Sequence, residues 1–471
     1  MLLLNSLRAM VRRASARRRG SGRWPGRGLH SRPLILEALE DRRLLSCVLS
    51  LEPSKGSPQL VGDQVIWTAT ASNCAKDLVY QFSVRPSGDS FRVARDFSPH
   101  NTFAWSPMQE GSYDIHLIAK EGYQGTDTVS AFVSDVVNSR VTGSGAVITS
   151  MSNPLVALYS APPCSDGTIA VEFRPNGHQP QWRSTDVLPC EPGQSRNFLT
   201  AGMLPDATYQ MRHVVTSHHH SWHSSPLAFT TGAIPSSVVF PSFTVVQPPG
   251  PGSDLDRDML FHQVGRPGPG VPYPFVTDLT GQVTWYYDPS QAGLLPNLTG
   301  AGASLVPGGK VLVVGVGSDA PLPNSRNILR EIDLGGNPLR ETNLAAVNAQ
   351  LTALEHDIIH SFTHDVQRLP NGQTAVIGLT ERTVNIDGTP IDYIGMMIVV
   401  LDENLQVTWA WDAFDHLDVN RGPVLGEVTQ PGSPEPSAAV PRLPAVDWLH
   451  INAVSWSSAD GNLVLSIRHQ D

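Results

Sequence analysis

Two imidazoles and a guanidinium late in the chain are the side chains best suited to chemistry. His364 stands in Thr363-His364-Asp365-Val366-Gln367-Arg368-Leu369-Pro370-Asn371-Gly372, His450 in Asp447-Trp448-Leu449-His450-Ile451-Asn452, and Arg468 ends Leu463-Val464-Leu465-Ser466-Ile467-Arg468. A guanidinium is permanently charged and presents planar paired donors, which suits a multi-oxygen anion. Imidazoles can donate to the same oxygens or move a proton near neutral pH. Asp365 and Asp447 lie close in sequence to the histidines and can orient their rings, while Asn452 can hold a loop. The plainer alternative is a pair of buried histidines tying strands together. His356, His360, His416 and His469 are further polar candidates of the ordinary strand-end or loop kind.

The segments that must position these groups repeat. One unit is Asp-x-x-Gly or a close variant before a strand: Asp278-Leu279-Thr280-Gly281, Asp333-Leu334-Gly335-Gly336 and Asp402-Glu403-Asn404-Leu405, the first and last running on to Val-Thr-Trp. The other is a glycine turn opening an apolar strand, at Gly309, Gly372 and Gly461. Strand, turn and strand repeated with divergence predicts successive blades of a β-propeller over 254–471. The glycines are spaced wider than the roughly 40–50 residues of common propellers, so the surplus must be loops, the longest from Gly422 to Pro444. Such loops gather at one rim, where binding groups also tend to lie.

Upstream the chain reads as two sandwiches. Over 48–140, runs such as Gln64-Val65-Ile66-Trp67-Thr68-Ala69-Thr70 alternate at period two, and Trp67 with Gly111 and Tyr113 suggests an immunoglobulin-like module. Over 145–232, Leu204-Pro205-Asp206-Ala207-Thr208-Tyr209 resembles the fibronectin type III corner, in which a tyrosine bonds back to the chain. His218-His219-His220-Ser221-Trp222-His223 reads as a solvated hairpin tip rather than a metal site, with no acidic or thiol partner nearby in sequence. Residues 233–253, rich in Pro, Ser and Gly, read as a linker.

Composition agrees. The 40 Gly and 39 Pro against 16% charged residues favour an all-β chain of short strands and tight turns. Nine arginines crowd the first 33 residues without an acid, and setting them aside leaves 24 basic against 43 acidic residues. So acidic a body argues against nucleic acid as a partner and makes 1–47 a basic leader. Leu36-Glu37-Ala38-Leu39-Glu40-Asp41-Arg42-Arg43-Leu44-Leu45-Ser46 resembles a segment that precedes the mature part of many large exported bacterial proteins. Leu44-Leu45-Ser46-Cys47 is only a chance likeness to a lipid-attachment box, because the apolar stretch such a signal needs is missing. No transmembrane segment is expected, as no run of about 20 apolar residues occurs. Cys47 with Cys74 and Cys164 with Cys190 are predicted as local disulfides of an oxidising compartment, periplasmic, cell-surface or extracellular.

Over about 356–471 the motifs resemble the aryl-sulfate sulfotransferase family: His-Asp before Leu-Pro-Asn-Gly, then Trp409-Ala410-Trp411-Asp412, then Asp-x-x-His-x-Asn, then Ser-x-Arg, with the family's separation of eighteen between His450 and Arg468. The resemblance implies a six-bladed propeller and transfer of a sulfuryl group from a phenolic sulfate ester to a phenol by sulfohistidine ping-pong exchange. His364, His450 and Arg468 would be catalytic, and no cofactor or metal is implied. The family's nucleophilic histidine normally follows the Ser-x-Arg strand at a distance, so it is expected beyond residue 471, and the propeller is expected to be incomplete at roughly four blades. A homodimer stays open. Two competing readings are a non-catalytic exported binding or adhesion protein and a quinone-dependent propeller dehydrogenase. The second is disfavoured because the Trp-x-Trp-Asp pattern occurs once and no calcium cluster is evident.

Overall fold

The computed structural model describes residues 47–470 apart from 75, 178–180, 219, 243, 254–258, 264–272, 290–297, 318–326, 422–434 and 441. These described residues fall within one compact unit, 46–471. The expected all-β class holds. The leader and most of the long 422–444 loop lie outside the described residues.

In the first sandwich, Val48–Pro53, Val65–Ser72 and Thr102–Trp105 form one sheet, and Gln59–Leu60, Leu78–Pro86, Arg92–Ser98, Gly111–Glu121 and Thr128–Asn138 belong to the other. Period-two alternation turns Val65, Trp67 and Ala69 inward, where they pack with Phe82, Phe103, Ile115 and Leu117. Burying each of the larger of these side chains stabilises the fold by about 1.5–3 kcal/mol. The second sandwich sets Val147–Ser150, Ala157–Ala161 and Arg196–Thr200 against a sheet built on Thr168–Pro175 and Thr208–Ser217. The Tyr209 hydroxyl accepts the Leu204 N–H at 2.8 Å, closing the corner as its sequence suggested. Disulfides Cys47–Cys74 and Cys164–Cys190 form as paired in the sequence. His220–His223 is an exposed hairpin strand. Two acids invisible in the linear sequence approach it, Asp166 at 3.2 Å from His218 and Glu172 at 3.9 Å from His223.

Two features depart from a chain of independent modules. The 233–253 stretch is more than a linker, because Ile234, Val238 and Phe240 pack against Leu155, Phe275 and Tyr286. Its Pro and Ser content hid three well-placed apolar side chains. In addition, the edge strand Arg92–Ser98 pairs in parallel with Pro338–Asn343 through Arg95 and Glu341, merging two sheets into one of nine strands. Each strand thereby covers an edge that would otherwise stay open. Beneath this seam Arg330, fully buried, donates from Nε to Glu341 at 2.6 Å and from its amino group to the Tyr287 hydroxyl at 2.6 Å. Arg95 reaches the other Glu341 oxygen at 3.4 Å.

The C-terminal region is a three-stranded sheet, Met259–His262 with Phe275–Asp278 and Val283–Tyr286, followed by two antiparallel meanders and a hairpin. The meanders are Leu298–Val306, Lys310–Gly317, Asn327–Asp333 and Pro338–Asn343, then Ser361–Arg368, Thr374–Ile386, Thr389–Leu401 and Val407–Asp412. The hairpin is Ile451–Trp456 with Leu463–Ile467. No closed ring of sheets occurs among the described residues. The repeated turns are built alike: Asp278 Oδ1 accepts the amides of Thr280 and Gln282, and Asp402 Oδ1 those of Asn404 and Gln406. The left-handed position falls on Gly281 at φ 84° and on Leu405 at φ 62°, so the third copy keeps the turn without its glycine.

One helix, Leu344–Ala353, was not anticipated. Asn343 caps it by accepting the Ala346 N–H at 3.0 Å, and Leu344, Val347 and Leu351 share its buried face. The capping asparagine and that apolar spacing were the available signals.

Candidate active site

His364 comes from the Ser361–Arg368 strand and His450 from the short stretch just before the hairpin. The Ser361–Arg368 strand breaks register between Thr363 and Val366, leaving His364 and Asp365 in a bulge with His364 at φ 55°. A bulge re-aims side chains that regular pairing would alternate between faces. Glycine is required opposite: a Cβ on Gly302 would lie 2.5 Å from the His364 carbonyl oxygen. The hairpin carries a second bulge between Ile451 and Ala453, next to His450 at φ 54°. Each left-handed histidine costs on the order of 1 kcal/mol, a strain that persists where the surroundings over-determine the conformation.

The two rings lie 4.8 Å apart between centroids, and His469 stands 5.2 Å from His450. His450 Nδ1 bonds Asp447 Oδ2 at 2.5 Å. A carboxylate accepts, so Nδ1 carries the proton of this bond and Nε2 is the ring atom left for chemistry. Burial pushes the His364 imidazole below its ordinary range; the His450 and Arg468 charges push the same way and Asp447 opposes them. His364 is therefore neutral at pH 7, and Arg468 is near enough for its charge to bear on it.

Asp447 bonds the His450 ring, whereas the Asp365 carboxylate is engaged elsewhere. It accepts the amides of Val366 at 2.9 Å and Val454 at 3.0 Å, tying the His364 strand to the hairpin. Gln367 Oε1 repeats the tie at the Trp456 amide, 2.7 Å away. Burial lifts the Asp365 carboxyl above the usual carboxylate range. Asn452 is exposed in the hairpin bulge. Of the other histidines, His416 stacks on Trp411 at 5.3 Å and His356 is exposed. The acid of Trp-x-Trp-Asp is structural: Asp412 caps the turn Ala413–Asp415 and lies 3.5 Å from Arg382.

Among the described residues, Asp447, His450 and His469 each offer a ligand atom within 4.8 Å of the others, the one such grouping that could hold a metal. A cavity of about 920 Å³ lies elsewhere, lined by Trp105, Tyr113, Arg340, Arg368 and neighbours along the seam. Sequence reasoning undervalued His469, whose adjacency to Arg468 was the one available signal.

A partly exposed imidazole pair, an acid orienting one ring and a guanidinium beside them make a site for stabilising and protonating an oxyanion. Residues 253–471 match the family model described as arylsulfotransferase (ASST). This region is an arylsulfotransferase domain. Comparison with curated proteins gave no match. Among solved structures, the chicken CNTN1 FN1–FN3 domains match at 10% identity over 38% of this chain and 67% of that one, with a TM-score of 0.17. A two-domain fibronectin type III segment of chicken tenascin matches at 15% identity over 39% and 98%, with a TM-score of 0.16. The arylsulfotransferase domain contains His364, His450 and Arg468.

Proposed function

We propose that the arylsulfotransferase domain moves a sulfuryl group from a phenolic sulfate ester to a phenol. The observation that carries this reading is the convergence of His364 and His450 at 4.8 Å, with Asp447 fixing the proton on one ring. Arg468 pairs with the sulfuryl oxygens, and neutral His364 donates a hydrogen bond to them. As the sulfur–oxygen bond breaks, its electron pair stays on the phenolate, and His450, entering the step as the imidazolium with Nδ1–H on Asp447, passes its Nε2 proton to that oxygen, whose conjugate acid has a pKa of about 10; the acceptor phenol later returns a proton to Nε2. The resemblance implies that a further histidine, distinct from His364 and His450, takes the sulfuryl group on nitrogen, and the acceptor phenol reverses the sequence.

The meanders and hairpin serve, on this reading, as blades of a propeller over 254–471 that aims the three groups at one point. The sandwiches over 48–140 and 145–232 present it, and 1–47 directs export to an oxidising compartment, in keeping with both disulfides. Among the described residues no helix is long and apolar enough to cross a membrane.

The test is transfer from 4-nitrophenyl sulfate to a phenol by a full-length version of the protein, followed as released 4-nitrophenolate and sulfated acceptor. Formation of both in equal amounts is expected. Retained binding of the aryl sulfate without transfer would turn the reading to a binding module.

A further inference from the structure

The residues after the hairpin do more than close it. Four consecutive carbonyls, from Asp447 to His450, are each bonded by Arg468, His469 or Gln470. The Asp447 carbonyl accepts from His469 Nδ1 at 2.9 Å, and the Trp448 carbonyl from the Gln470 side-chain amide at 2.9 Å. The Leu449 carbonyl accepts the His469 backbone amide at 3.0 Å, and the His450 carbonyl accepts the Arg468 amide at 3.1 Å. His469 and Gln470 are both buried. The segment so gripped holds His450 in its left-handed conformation and carries the Asp447 carboxylate that bonds its ring. Tripeptide and tetrapeptide lie face to face, every carbonyl of one satisfied by the other.

We propose that His469 is a positioning residue, whose Nδ1–H locks the Asp447–His450 segment in the turn that sets the His450 ring against His364. This rests on the sulfuryl-transfer reading above. A carbonyl oxygen only accepts, so the role demands the Nδ1–H tautomer of His469 and makes no use of Nε2. A metal shared by Asp447, His450 and His469, or a proton-transfer role for His469, would instead employ a ring nitrogen lone pair.

Three variants of the full chain separate these roles, because Asn places its amide where Nδ1 was and Gln places it nearer Nε2. With 4-nitrophenyl sulfate, His469→Ala should lower kcat/KM about 10–100-fold, the range typical for groups that orient a functional imidazole, chiefly through kcat. His469→Asn should return to within about threefold of the parent, and His469→Gln should not. Rescue by Gln equal to that by Asn, or an Ala variant matching the parent, overturns the proposal. If the Ala variant does not fold, the Asn and Gln pair decides alone. Nitrogen-15 spectra of labelled histidines supply a readout independent of turnover: neutral His469 must carry its proton on Nδ1, and an Nε2–H tautomer overturns the proposal even in an active protein. A parent without transfer activity in which His469 carries its proton on Nδ1, and in which His469→Ala removes the Nδ1–H tautomer of the His450 ring, would fail the sulfotransferase reading and leave the positioning role standing.

Discussion

Among the described residues, two groups of charged side chains are built in opposite ways. At the seam, Glu341 faces Arg330 and Arg95, side chains 7%, 0% and 3% exposed. Burial pushes the Glu341 carboxyl up, yet Arg330 and Arg95 bring it net below the usual range, so it stays charged. At the site, Asp447 faces His450 and His469, and His450 is 26% exposed. The seam pairs a carboxylate with cations that do not titrate, sealed from water, where breaking one partner strands the others. The site pairs a carboxylate with two imidazole rings, open on one side. A sealed permanent charge network holds sheets together, whereas an open one leaves its rings within reach of a substrate.

That contrast breaks most sharply with Glu341→Gln, which leaves two buried guanidiniums short of a partner. A loss of about 3–5 kcal/mol is expected in urea unfolding, with activity falling only as the folded fraction falls. Arg468→Lys tests the other pole: turnover should drop roughly 10²–10³-fold, the cost of losing a matched oxyanion donor, while the urea midpoint stays put. Equal losses in both would make Arg468 part of the scaffold. Asp447→Asn should cost roughly 10–100-fold in kcat/KM with the fold retained, since the ring loses its fixed tautomer; the pH–rate profile of the variant reads this directly. The smallest effect concerns His364. Its folded imidazole binds a proton less readily than the unfolded chain does, so stability is lost as pH falls below about 6.5 toward the lower folded value. His364→Asn, tolerated at φ 55°, should flatten that slope, a change of about 1–2 °C in Tm between pH 7 and 5.

Much of this was legible in the residues. Trp67 and Tyr209 announced their cores because alternation and a corner tyrosine are local signals, and the paired cysteines closed at short range. His364, His450 and Arg468 stood out through motifs that are themselves local. Pairing across hundreds of residues was hidden: nothing in Arg92–Ser98 names Pro338–Asn343 as its neighbour, and Arg330 sits in a strand whose seven residues are all buried, with no pattern to flag an ion. Asp365 misled for the same reason. Adjacent to His364 in sequence, it faces another strand once the bulge turns the pair apart.

The joint made by Asp365 and Gln367 also bears on motion. His364 rides on the Ser361–Arg368 strand and His450 immediately precedes the two-stranded hairpin, and between strand and hairpin two side-chain acceptors stand where a strand ladder would otherwise run. Side-chain bonds can release one at a time, without unzipping a ladder, so parting of strand and hairpin is opposed chiefly by the burial of Ile451 and Val454 among Ile377, Ile398 and Trp448. The amides of Val454 and Trp456 then become clocks for the site: their hydrogen-exchange rates count how often the two halves part, and a bound aryl sulfate bridging those halves would slow both.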